Sequence, residues 1–237
     1  MVCLSSEFKT MNVMCGRYSV AIDADKFRQE YNVEVPEAYK PRYNIAPTQS
    51  AWVLSADEPG TLTRMKWGLI PHWSRDGQSR GRLFNARKEG ISAKPSFRIP
   101  IRQHRCLVPA DGFYEWRKEG NTKVPYRLFL KNGHMMMMAG IFDEWTNGTE
   151  KQLTFSIITT SPNKEISALH DRMPVLLLRR EDQRAWMSSL VLEDALDLLK
   201  TPPDGTLLNY RVSAMVNSIS NDSPDLHKEV PEPPSLF

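Results

Sequence analysis

Short runs of β-forming apolar residues separated by turn residues dominate the chain from Ser50 onward. They are AWVLSA (51–56), TLTRMKWGLI (61–70), RCLVPADGFYEW (105–116), PYRLFLK (125–131), HMMMMAGIF (134–142) and LTFSIITT (153–160). Their spacing predicts a curved sheet or barrel, and the methionines at 135–138 suit a strand with adaptable core packing. Helix-forming segments flank these runs: Asp23–Tyr31, Asn163–Leu169, and Glu181–Lys200, where Ala185, Leu192, Leu196 and Leu199 share a face. PRYNIAPTQ (41–49) carries too many prolines for either element and reads as a shaped loop. No internal repeat of fixed period is present. The expected class is therefore α+β: one β-rich domain over residues 14–222 with a curved or barrel-like sheet and flanking helices. An extension (1–13) precedes it and a proline-rich tail (223–237) follows.

A chain of 237 residues can bury a sizeable core without dividing in two. Lys and Arg number 31 against 28 Asp and Glu, a net charge of +3, so any nucleic-acid surface has to be a local patch. No apolar run approaches membrane-spanning length, and residues 1–13 lack the pattern of a secretory signal, so no membrane partner and a cytoplasmic location (at the nucleoid in a prokaryote) are expected. The three cysteines, Cys3, Cys15 and Cys106, are odd in number and lack CxxC spacing, which argues against a disulfide framework and a zinc site. With no phosphate loop or nucleotide fingerprint either, neither metal nor organic cofactor is expected.

Four segments concentrate polar functional groups beside turn or strand residues: MCGRY (14–18), FNARKE (84–89), RCLVPADGFYEW (105–116) and ALHDRMPV (168–175). A single Asn, Glu, His or Cys is more often structural than catalytic; the combination suggests four walls of one site. Cys106, inside an apolar strand, reads as a small buried group, and Cys3 lies in the extension.

Together with YNIAPTQ, WGLIPHW, AGIFD, FSIITTSPN and VSAMVN, these segments follow the order found in the SRAP proteins, named for "SOS response-associated peptidase". The chain resembles that family from Met14 to about Asn217. The resemblance implies a single β-rich domain with a positively charged groove, and an amino-terminal cysteine that crosslinks to abasic sites in single-stranded DNA. Here that cysteine is Cys15. An α-amine attacks the aldehyde of an opened abasic sugar to give a Schiff base, and the thiolate of the same residue can close a thiazolidine ring. Such an amine has a pKa of about 7.7–8.0, so a fraction is free near neutrality. Thirteen residues precede Met14, so an internal start with methionine removal, or cleavage, is expected to expose Cys15.

By the same resemblance, Glu115 is the general acid/base, His170 helps to open the furanose, and Asn85 orients the amine or the opened sugar. Arg17, Arg87 and Arg172 are candidate phosphate grips. Trp73 and Trp116 are candidates for stacking on bases, while Trp67 reads as core, and Pro47 and Thr48 lie in a loop that could abut the lesion. Nothing in this chemistry requires more than a monomer. Two other functions use the same residues: a thiol peptidase acting on its own leader, and a non-covalent single-stranded DNA-binding module.

Overall fold

The computed structural model describes residues 16–77, 83–188 and 191–231. The first half contains β1 (Tyr18–Val20), α1 (Ala24–Tyr31), β2 (Arg42–Ile45), β3 (Ser50–Ser55), β4 (Leu62–Trp67), β5 (Asn85–Arg87) and α2 (Pro100–Gln103). Then come β6 (Arg105–Ala110), β7 (Gly112–Glu119), β8 (Thr122–Leu130), β9 (Met136–Asn147) and β10 (Glu150–Thr160). The last part holds α3 (Lys164–Ser167), β11 (Met173–Pro174), α4 (Arg180–Trp186), α5 (Leu192–Asp197), β12 (Leu207–Arg211) and 3-10 turns at Ala214–Asn217 and Pro224–His227. Among the described residues, no helix is long and apolar enough to cross a membrane.

The strands form two sheets, as the α+β reading expects. One runs β12-β8-β7-β1-β2; the other runs β11-β10-β4-β3-β6-β9, and β9 pairs back onto β10 so that the sheet closes into a ring. Close approach inside the ring explains Gly140. A Cβ there would lie 2.8 Å from the Cys106 Sγ and 3.2 Å from the Ser156 carbonyl oxygen. Cys106 is fully buried, and burial pushes its thiol pKa far up, so it packs as an apolar group. Met135–Met138 are likewise buried at the edge of β9.

Three local readings are corrected by tertiary contacts. Residues 42–45 of the proline-rich stretch form β2, pairing Tyr18 with Ile45 and Val20 with Arg42, while Pro41 and Pro47 fall outside the strand. The helix over Glu181–Lys200 is broken in two because Arg105 takes the carbonyls that would continue α4: its Nε donates to Trp186 O (2.8 Å) and its NH2 to Ser188 O. A guanidinium there also opposes the negative end of the helix. Residues 223–231 of the expected tail dock instead of trailing, and 232–237 lie outside the described residues. Leu226 is fully buried, Val212 bridges to Glu229, and the Val230 N–H donates to Arg211 O.

Candidate nucleic-acid site

The buried indole of Trp67 joins two of the polar segments to the Pro47–Thr48 turn. Its Nε1–H donates to Phe84 O (2.9 Å), its backbone N–H donates to Gln49 O, and its carbonyl accepts from Thr48 N–H (2.8 Å). Its ring meets Tyr18 edge-on at 5.1 Å and stacks on Phe155. One core residue thus fixes the strand that follows Cys15, the Pro47–Thr48 turn and the entry to Asn85. Cys15 itself lies outside the described residues.

β10 supplies the next alignment. Phe155 is in register with Trp67, Ile157 with Asn85 and Thr159 with Arg87, which puts Trp67, Asn85 and Arg87 on one face along a single strand. The far end of β10 pairs with β11, where Thr160 faces Met173, and so draws in the segment His170–Arg172. Arg172 is buried, forks onto both carboxylate oxygens of Glu89 (3.0 and 2.7 Å) and donates to Thr159 O. That pair holds the Glu89 carboxyl below the usual carboxylate range. Arg87, by contrast, is exposed.

His170 is half-buried, and its Nδ1 accepts the backbone N–H of Arg172 (3.1 Å). The same Nδ1 lies 2.9 Å from Asp171 Oδ1, so both contacts fall on one ring nitrogen and Nε2 is the one turned away from them. Burial lowers its pKa, Asp171 beside it opposes that shift, and the charge of Lys123 at the start of β8 adds to it. On the β7–β8 hairpin, Glu115 stands opposite Tyr126. Glu115 is only 2% exposed, an unusual setting for a carboxyl group without a chemical or bonding role.

The β1–β7 ladder pairs Tyr18 with Phe113 and Ser19 with Gly112, and Tyr114 N–H donates to Arg17 O (2.9 Å). Continued by two residues, this register sets Gly16 opposite Glu115. Arg17 and Trp116 form the adjoining wall. The Arg17 guanidinium lies 5.8 Å from the Trp116 ring centroid and donates to Asn44 Oδ1 and Val216 O, while the Trp116 Nε1–H donates to Asn217 Oδ1 (2.8 Å). Arg17 and Arg172 are thus held by internal hydrogen bonds.

Trp73 is 55% exposed on a turn anchored from both sides: Asp143 accepts from His72 N–H (2.9 Å), and Trp145 donates to Ser74 O (2.7 Å). Thr48 is exposed with a φ of 73°, a left-handed conformation that is rare for a β-branched residue and costs about 1–3 kcal/mol. Its backbone bond to Trp67 holds it there, beside the half-buried Pro47.

Sequence reasoning missed the buried polar centre behind this wall. Asn44, fully buried, donates to Val216, Ser218 and Asn221 carbonyls, and Asp222 accepts the N–H groups of Tyr43 and Asn44. An asparagine between Tyr43 and Ile45, inside a strand-like triplet, was the available signal. Glu89, the partner of Arg172, stood unassigned within FNARKE.

The chain is 38% identical over 221 residues to the abasic site processing protein YoqW of Bacillus subtilis, covering 90% of this chain and 98% of that one. It is 30% identical to the abasic site processing protein HMCES of Gallus gallus, covering 90% of this chain and 76% of the relative. A solved structure of a protein from Bacteroides thetaiotaomicron superposes with a TM-score of 0.82 at 29% identity, over 91% of this chain and all of the other. The family model described as SOS response associated peptidase (SRAP) matches residues 14–219, and the chain belongs to that family.

Proposed function

We propose that this protein processes abasic sites in DNA by covalent capture on a single strand, with Cys15 as the amino-terminal residue of the active form. The observation that carries the reading is the β1–β7 register, which leads the chain at Gly16 to the level of the buried Glu115. The names of the relatives support the lesion as substrate.

In the proposed reaction the Cys15 α-amine adds to the aldehyde carbon, the carbinolamine loses water to form an imine, and the thiolate then adds to the imine carbon. The nitrogen takes up a proton as the thiazolidine closes. Glu115 accepts and returns the protons moved in the addition and dehydration steps. His170 acts through Nε2 as the proton donor to the sugar ring oxygen, its Nδ1 being engaged by the Arg172 amide and by Asp171. Asn85 orients the opened sugar and Arg87 holds a neighbouring phosphate. Arg172 braces the His170 segment against Thr159. Ring closure removes the imine from the path to β-elimination, so the strand stays intact under the adduct. All these groups come from one chain, and a monomer suffices.

The test mixes protein beginning at Cys15 with single-stranded DNA bearing one abasic site and resolves the products on a denaturing gel, beside the 237-residue chain and Cys15→Ala. A heat-stable adduct from the first protein alone is expected. Binding without an adduct would replace capture by a non-covalent module.

A further inference from the structure

A cationic recess lies beside the strands that flank the Pro47–Thr48 turn. It is a cavity of about 230 Å³ whose lining includes Tyr39, Lys40, Arg42, Ser50, Trp52 and Arg64 and no carboxylate. Trp52 and Arg64 are cross-strand partners of the β3–β4 pair, as are Ser50 and Lys66 two residues along, so one face of this ladder presents a half-buried indole flanked by cations. Lys40 and Arg64 are exposed and make no ion pair among the described residues. Arg42, by contrast, is tied to Asp222 and to Gln49 Oε1 (3.1 Å). The Gln49 Oε1 also accepts Ala46 N–H (3.1 Å), so Arg42 fixes the turn whose exposed tip is Thr48.

We propose that this recess is a flank-binding subsite for single-stranded DNA, in which a base lies on Trp52 and the adjoining phosphates meet Lys40 and Arg64. An aromatic platform beside unpaired cations, with no acid among its lining, suits a nucleotide: stacking holds any base, and the cations hold the backbone. The recess is lined by Ile45 and Ser50, the strand residues on either side of the Ala46–Gln49 turn. From Thr48 to Trp52 is four residues of chain, at most about 14 Å, so one strand crossing the turn reaches both within a few nucleotides. The subsite would anchor the strand beside the lesion without taking part in the chemistry, and it rests on the reading of the protein as acting on single-stranded DNA.

The experiment compares protein beginning at Cys15 with its Lys40→Glu/Arg64→Glu, Trp52→Ala and Trp52→Phe variants. Non-covalent affinity is measured for undamaged oligothymidylates of increasing length, and adduct yield is measured on a short and a long abasic oligonucleotide. Wild type should gain affinity with length. The charge-reversal variant should lose about tenfold on long strands, with its salt slope shallower by roughly 0.7 for each phosphate contact removed. Trp52→Ala should weaken binding with the salt slope unchanged, and Trp52→Phe should restore it. Adduct yield on the short substrate should match wild type throughout. Charge-reversal and Trp52→Ala proteins that bind long strands as wild type does would overturn the subsite. Absence of any adduct together with length-dependent binding that needs Lys40, Arg64 and Trp52 would sink covalent capture and leave the subsite standing.

Discussion

Asn44→Ala tests whether the buried polar centre holds the Arg17–Trp116 wall together. The Asn44 side chain accepts from Arg17 (2.8 Å) and donates to the carbonyls of Asn221 (2.7 Å), Ser218 (3.0 Å) and Val216 (3.3 Å). Truncation strands these buried acceptors and part of one guanidinium in a space too tight to resolvate freely. Leaving such groups unsatisfied costs about 2–4 kcal/mol. For a domain of this size that corresponds to a fall in Tm of roughly 5–12 °C. Asn44→Asp sharpens the test because the carboxylate keeps the acceptor for Arg17 but turns a second oxygen toward three carbonyls. If donation to the 216–221 segment dominates, the aspartate is at least as damaging as the alanine at neutral pH. Thermal and urea unfolding of the three proteins measure this. An Asn44→Asp protein as stable as wild type would show that the Arg17 contact alone matters and would refute the argument.

Four further outcomes follow from the geometry. Burial beside Arg127 lowers the His227 pKa to about 4, with Asp111 opposing; because the folded-state value lies below the unfolded one, stability present above pH 6.5 is lost as pH falls toward 4, and Tm profiles of His227→Gln should be flatter over that window. Gly140→Ala should cost about 1–3 kcal/mol through its contact with the Cys106 Sγ, with a Gly140→Ala/Cys106→Ala protein recovering part of the loss in urea melts. Arg87→Ala should weaken DNA binding and make its salt dependence shallower, whereas Arg172→Ala, which breaks the fork onto Glu89, should slow adduct formation with an unchanged salt slope. The lowered His170 pKa moves its charged form to more acid pH, so any His170-dependent acid limb in the rate of adduct formation should lie below pH 6.5 and vanish in His170→Gln.

Much of the fold was legible because its determinants are local. Each long apolar run became a strand, and RCLVPADGFYEW divided into β6 and β7 at Asp111. Asp23 caps α1, accepting from Lys26 N–H at 2.8 Å, and Asn32 ends it in a left-handed conformation. What failed was set by residues distant in sequence. Arg105 ends α4 from 81 residues away, Asp222 secures β2 across about 180 residues, and Leu226 draws a proline-rich segment into the fold. Periodicity and composition are blind to such partners. The same holds for the site. The residue types stood out in their segments, but the burial of Glu115, the internal pairing of Arg172 and the orientation of His170 depend on packing between segments.

The proposed capture of one sugar within a flexible polymer places two different demands on the residues around it. Glu115 lies on β7 and Asn85 on β5, in ladders with fixed register, while His170 lies in the turn just ahead of β11. A one-residue slip in either ladder would turn its side chain to the opposite face, so those two groups are aligned by strands, whereas His170 is aligned by its contacts with Arg172 and Asp171. Trp73 and Thr48 lie on exposed turns, where groups proposed to stack on or abut the strand need only approximate placement. Under the proposed reaction the sugar has to meet Glu115, His170 and Asn85 within hydrogen-bonding distance, whereas the flanking nucleotides need only be held nearby.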